Sequence, residues 1–462
     1  MVLTVRAITV RTIIFLLAAT FIAQQLTHFG PLLYVVGGLV FVAVVLLLPQ
    51  LKGMTRWLTA CFMAGGAVLL LLRGADARHW FEAAGMNVTL VTLFVFAPLF
   101  GIPVRIPAYV EALKRFYDTR VRSQTALFTG TQLLTQIMGA FINVGSIPVV
   151  YHLAFVKPRP DGIAGLLAQA MNRGFGAAIF WSPYFAAMAL VTSALEVQWS
   201  SLLPYMAGLS LLSLPVSLAL EARKLRAQDA VASVPAEQAA AAQQVEPGAG
   251  DAAGFPRGLG LYLAAAIAIV LLLEQLVQLP MVLITCMAAV LFPLIWCLAK
   301  GAMPTYKQGL VNHVTITLPA LQKEIALFLA AGFFSGSIAA TGLGASVPAL
   351  LGAFPLPVPV TFSILTVASV ILTSMIGLHP IVLVTILATG IDPAAVQISP
   401  VYFAVLLLGS WGISNPLSPA SAVNNLLAGL AGRPLFGLAR SNYLFAAVMA
   451  LVLLLYLGIC FS

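Results

Sequence analysis

Long apolar runs recur along this chain from Ile8 to Phe461, separated by short basic or polar segments. An α-helix needs about 20 mainly apolar residues to cross a bilayer, so the pattern predicts about ten to twelve crossings and an all-α polytopic membrane protein. The clearest runs lie near 8–27, 31–49, 57–73 and 86–103. Lys and Arg gather at the N-terminus, at 50–56 and in the amphipathic stretch 105–122, RIPAYVEALKRFYDTRVR. The positive-inside rule therefore places the N-terminus in the cytoplasm. Arg6 and Arg11 before an apolar run imitate a signal peptide, but the run is long enough to span and further spans follow. A retained first helix is the reading.

From Glu221 to Pro256 the pattern lapses. This stretch is rich in Ala, Gln, Glu and Gly, lacks apolar periodicity and opens with Arg223, Lys224 and Arg226. It reads as a flexible cytoplasmic linker that divides the chain nearly in half. Four parts follow: N-terminal transmembrane helices (1–103), a first repeat core with an interfacial helix and re-entrant or broken helices (104–220), the linker (221–256) and a second repeat (257–462).

Duplication rests on two pairs of segments. FINVGSIPVV (141–150) matches TSMIGLHPIV (373–382) at an offset of 232, aligning Gly145 with Gly377 and Pro148 with Pro380. RGFGAAIFWSPYFAAM (173–188) matches GSWGISNPLSPASAVN (409–424) at an offset of 236, aligning Gly176 with Gly412, Ser182 with Ser418 and Pro183 with Pro419. Both pairs fall in the same order. A third match, Ala126–Phe128 with Ala326–Phe328, has an offset of 200 and implies an insertion in the second half.

Composition strengthens the membrane reading and removes competitors. Hydrophobic residues make up 61% of 462 and charged residues 8%, with mean hydropathy +1.03. A soluble domain carries about a quarter charged residues. The net charge of +9 comes from short loops beside apolar spans, which argues against nucleic acid as a partner. Cys61, Cys286, Cys297 and Cys460 lie in apolar stretches without metal-ligand spacing, so neither a disulfide framework nor a metal site is expected. No Walker A, HExxH or GxSxG motif occurs, and the expectation is a protein that is not an enzyme and needs no cofactor.

The chemistry concentrates where the repeats match. Ser is a preferred N-cap and Pro suits a first helical position, so each Ser-Pro reads as a helix start inside an apolar stretch. A half-helix beginning at membrane depth aims unpaired N–H groups and its positive dipole end at a cavity, which suits an anion. Candidate solute ligands are Arg173, Ser182, Pro183, Ser414, Asn415, Ser418, Pro419, Asn424 and Asn425, with both Asn424 and Asn425 expected to face the interior. Asn143, Gly145, Ser146, Thr373, Ser374 and Gly377 form oxygen-rich turns suited to Na⁺, and His379 is a candidate proton shuttle. Small polar residues also glue helices together, which is the competing structural role.

At these residues the chain resembles the ion transporter superfamily, which includes divalent anion:sodium symporters and arsenite pump-like permeases. Ser414-Asn415-Pro416 with the following LSPASAVNNLL looks like the second hairpin tip and helix, and WSPYFAAMALV (181–191) looks like the corresponding first helix. The symporter branch carries Ser-Asn-Thr at each tip, which is missing here. The resemblance implies two inverted repeats, each with a re-entrant hairpin and a broken helix. It further implies cation-coupled transport, with Na⁺ or H⁺, of a small organic or inorganic anion across a bacterial-type inner membrane. Many proteins of that type are homodimers. The competing functions are an exporter or cation:proton antiporter on the same scaffold and, further off, a lipid-acting membrane enzyme or flippase.

Overall fold

The computed structural model describes residues 5–120, 123–155, 161–240, 254–277, 279–342 and 347–461, and all regular elements among them are helical. The chain opens with α1 (Val5–Thr27), α2 (Leu32–Leu47), α3 (Gly53–Leu72), α4 (Ala77–Gly85) and α5 (Val88–Phe96). Asp76 starts α4 by accepting the His79 N–H at 3.1 Å. Beyond α5 the chain tightens into turns at Ala97–Gly101 and Pro103–Arg105, where Pro98 and Pro103 remove backbone donors. The basic stretch forms α6 (Pro107–Arg120).

The first repeat comprises α7 (Gln124–Ile142), α8 (Ser146–Ala154), α9 (Asp161–Trp181), α10 (Ala186–Ala194) and α11 (Trp199–Ala240). Between the repeats lie α12 (Arg257–Leu276), α13 (Met281–Ala299), α14 (Met303–Asn312), α15 (Leu318–Ala320), α16 (Gln322–Thr341) and α17 (Val347–Leu351). The second repeat comprises α18 (Val358–Met375), α19 (Pro380–Gly390), α20 (Pro400–Ser414), α21 (Ala422–Ala431), α22 (Leu435–Arg440) and α23 (Tyr443–Cys460).

Thirteen segments among the described residues are long and apolar enough to span, one more than the upper sequence estimate. Several are composites: Gln124–Ala154, Gly162–Ala194 and Pro400–Ala431 each contain a helix, a break and a second helix. The breaks are interior. Over the 18 residues that make its apolar stretch, Gly162–Ala194 is 94% buried, against 17% for the corresponding stretch of Gly53–Leu72. The outer helices expose large apolar side chains, with Leu72, Ile376 and Ile459 at 81, 78 and 76%. Such a surface is stable only against lipid, so this is an all-α polytopic membrane protein.

The elements α7, α8, α9, α10 and α11 are answered in order by α18, α19, α20, α21 and α23. The matched part of the second half thus begins at Val358, well after 257. The Ala126–Phe128 match is incidental, because it lies in α7 while Ala326–Phe328 lies in α16 and the counterpart of α7 is α18. The linker also needs revision, since α11 continues through Glu221 to Ala240. Asp229 explains part of that continuation: its carboxylate accepts from Gln124 N at 2.5 Å and from Thr125 Oγ1 at 2.8 Å, fastening the helix to the start of α7. Residues 241–253 of the expected linker lie outside the described residues.

Contacts between the repeats are reciprocal. α8 packs on α21 and α19 packs on α10, so the return arm of each hairpin meets the half-helix of the other repeat. At the centre α9 crosses α20 through a glycine seam. A Cβ on Gly176 would stand 2.6 Å from Gly412 O, and one on Gly412 would stand 2.7 Å from Gly176 O.

Candidate functional site

Each repeat supplies a turn and an interrupted helix. In the first turn Asn143 adopts φ +50°, and its Oδ1 accepts the Val144 N–H at 2.7 Å. Ser146 Oγ donates back to Asn143 O at 2.8 Å. In the second turn Gly377 takes φ +94°, a conformation that glycine adopts without steric cost. His379 then caps α19, its Nδ1 accepting the Ile381 N–H at 3.2 Å. A neutral ring whose Nδ1 accepts carries its proton on Nε2. Asn143 at positive φ with extended ψ pays a backbone cost of about 1–3 kcal/mol. Asn143→Val is therefore expected to be less stable than Asn143→Gly by about that amount, read as the gap between their thermal midpoints.

The breaks sit where the sequence matches place them, but the Ser-Pro pairs lie just before the half-helices rather than capping them. Ser182 N still donates to Ala178 O, so Ser182 finishes α9, and its Oγ donates to Ala140 O at 2.6 Å and accepts from Tyr184 N. The half-helix α10 starts at Ala186, leaving Pro183 in the turn. Likewise Ser418 Oγ accepts from Ala420 N, and α21 starts at Ala422, past Pro419. Ser-Pro here builds a local turn through the serine hydroxyl, a use that competes with capping. Neither α10 nor α21 has a side-chain cap, so their first-turn N–H groups keep donor capacity. Ser414-Asn415-Pro416, expected at a hairpin tip, instead ends α20 at the break.

Both turns and both half-helix starts open on one cavity of about 870 Å³, open solvent at its mouth included. Its walls repeat at the offset of 236: Phe175 with Trp411, Ile179 with Asn415, Phe185 with Ser421, Ala186 with Ala422 and Ala187 with Val423. The first repeat supplies Phe175, Ile179 and Phe185, while the second supplies Trp411, Asn415 and Ser421. One wall is apolar, and the other carries an amide and a hydroxyl. Ser421 Oγ donates to Asn415 Oδ1 at 3.1 Å, which leaves the Asn415 amide N–H groups as donors. Asn143, Gly145 and His379 complete the junction of the turns.

Several candidates lie elsewhere. Arg173 is buried in α9 away from the cavity. It donates to Asn442 Oδ1 (2.9 Å), Ser217 Oγ (3.0 Å), Gln169 Oε1 (3.0 Å) and Glu221 Oε1 (2.9 Å), and its guanidinium lies 4.7 Å from the Phe445 ring centroid. It ties α9, α11 and α23 together. Asn424 is buried and braces the second break, donating to Pro416 O and Ser418 O and accepting from Asn172 Nδ2 at 2.7 Å. Asn425 is exposed, not interior, because its amide is used locally on Pro419 O and Ser421 O. Ser414 returns its hydroxyl to Trp411 O, and Thr373 to Ser369 O and Val370 O. Ser374 is buried in α18. Oxygens of the first turn are engaged with one another. Among the described residues no cluster of three His, Cys, Asp or Glu exists that could hold a metal ion.

The residue that sequence reasoning passed over is Glu324, in the first turn of α16, which lines the cavity with Thr317, Leu321 and Phe328. Its signal was present: a carboxylate three residues into a long apolar helix, at LQKEIALF.

No protein-family model matches this chain, and neither does any curated protein sequence. Among solved structures it is similar to the YdaH transporter of Alcanivorax borkumensis, whose topology is described as unusual. The match has a TM-score of 0.53 and 18% identity over 88% of this chain and 98% of that one. At that identity the likeness is one of fold.

Proposed function

We propose that this protein is a secondary active transporter that carries a small organic anion across the inner membrane by alternating access, coupled to Na⁺ or H⁺. The observation that carries the reading is the cavity whose walls pair at a single offset and into which two uncapped half-helices open, one from each repeat. Uncapped first turns supply N–H donors and positive dipole ends for a carboxylate. The apolar wall of Phe175, Ile179 and Phe185 favours a solute with an apolar body over an inorganic oxyanion. Broken helices at a repeat interface suit a fixed central site approached alternately from two sides.

The fold shared with a transporter supports this reading, as does the likeness of the Ser-Pro segments in the sequence to the ion transporter superfamily. On the same reading the repeats are inverted, and the N-terminus and the segment after α11 are cytoplasmic.

Purified protein in liposomes should accumulate labelled carboxylates when a Na⁺ or proton gradient is imposed. Ala422→Trp, at a half-buried position on the cavity wall, places an indole in the cavity and should remove that flux while leaving the thermal midpoint near the parental value. Absence of gradient-driven flux across a panel of mono- and dicarboxylates would sink the proposal, and so would flux that is indifferent to the tryptophan.

A further inference from the structure

The cavity that receives two positive helix ends also holds a carboxylate with one oxygen left unpartnered. Glu324 Oε2 is closed off from solvent at the wall and makes no hydrogen bond within the protein. It stands in the first turn of α16, which no side chain caps. An anion seated at α10 and α21 opposes its ionised form, because like charges in one water-poor cavity repel strongly. Both carboxylates cannot stay charged together at low cost.

We propose that Glu324 takes up a proton as the anionic solute enters, so that proton and anion cross together and the protein is a proton-coupled symporter. This rests on the anion site proposed above. The proton comes from water at the open mouth of the cavity and is held on the Glu324 carboxyl until the solute leaves.

Arg105 brings a guanidinium to the rim, its Nη2 3.7 Å from the Cβ position of cavity-lining Gly145, and the other surrounding groups leave proton uptake to Glu324. His379 faces the same cavity from the start of α19, but its Nδ1 is the acceptor that caps that helix, and protonating it would remove the cap. Its ring is held between Phe328 and Trp411, at centroid distances of 5.1 and 5.8 Å. With Nδ1 accepting, the ring proton lies on Nε2. His313, before α16, is committed to Val95 O through Nε2 at 2.7 Å. On α3, Arg56 and Cys61 are exposed at the outer face. On α4, Arg78, His79 and Glu82 belong to the opposite end of α16, where Ala83 meets Gly336. Lys323, on the same turn as Glu324, is exposed.

Benzoate, a carboxylate on an apolar ring, serves as the probe. Calorimetry of the full-length protein in several weak buffers should show uptake of about one proton per benzoate bound, and the apparent Kd should rise about tenfold per pH unit once Glu324 is ionised. Glu324→Gln should bind benzoate with a Kd independent of pH and no proton uptake. It should exchange benzenesulfonate, a permanently charged analogue that does not cross bilayers unaided, while failing to accumulate it under an imposed proton gradient. His379→Asn, which keeps a capping acceptor, should retain proton uptake. Benzoate binding to the parental protein without proton uptake would overturn the proposal, and so would unchanged uptake in Glu324→Gln. Failure of both proteins to bind benzoate at any pH would instead remove the anion site itself, which separates the two failures.

Discussion

Glu221→Leu is expected to destabilise the protein by about 3–5 kcal/mol, because it strands a guanidinium in the interior. Arg173 is 1% exposed and Glu221 5%, so neither charge can recruit bulk water when its partner is removed. Lys224 also pairs with Glu221 at 2.7 Å, but it is 64% exposed and will rehydrate cheaply. The neutral partners Gln169, Ser217 and Asn442 remain, yet they cannot supply the missing negative charge. The double variant Arg173→Met, Glu221→Leu should recover most of the loss, since paired burial of apolar groups is close to neutral where single removal is not. Thermal midpoints of the three proteins in one detergent give the comparison. A double variant as unstable as Glu221→Leu would show that Arg173 matters for packing, not charge.

This pair also shows where reading by residue type stops. An arginine within an apolar stretch marks either a ligand or an internal strut. The glutamate that decides between them lies 48 positions away, at what looked like the start of a linker. The composition of Glu221–Ala240 was compatible with a loop, and the tertiary contacts of Glu221 and Asp229 made its beginning a helix. Asn424 and Asn425 make the same point at closer range, for one is buried and its neighbour exposed on a helix whose start had to be known to within one residue.

What was legible came from repetition. The Gly-Pro and Ser-Pro matches located both turns and both breaks, and the offset of 236 then recurred in the cavity walls. Repeats preserve spacing even where chemistry has diverged, and Phe175 opposite Trp411 or Ile179 opposite Asn415 could not be paired from residue type alone. Glu324 escaped for the converse reason. It lies on α16, outside either matched unit, so no symmetry pointed to it.

The glycine seam carries the second large effect. Gly412→Leu is expected to leave little folded protein, because α9 already fills the space where its side chain would begin. Gly176 O stands 2.7 Å from the Cβ position, and the ring of Phe180 crowds it further. The obstacle on one side is backbone of α9, which cannot rotate away as a side chain can. Gly412→Ala, with a single methyl, should cost about 1–3 kcal/mol, the range for overpacking a filled interior. Gly429→Ala provides the control. That glycine is also helical, in α21, but nothing stands within 4 Å of its Cβ position. The same methyl there should stabilise by about 0.5–1 kcal/mol through lower backbone entropy in the unfolded chain. Opposite signs for one chemical change isolate the seam from helix propensity. If Gly412→Ala proved as stable as Gly429→Ala, α9 and α20 would not be in contact through their backbones, and the two half-helices would have no common frame to hold them at one cavity.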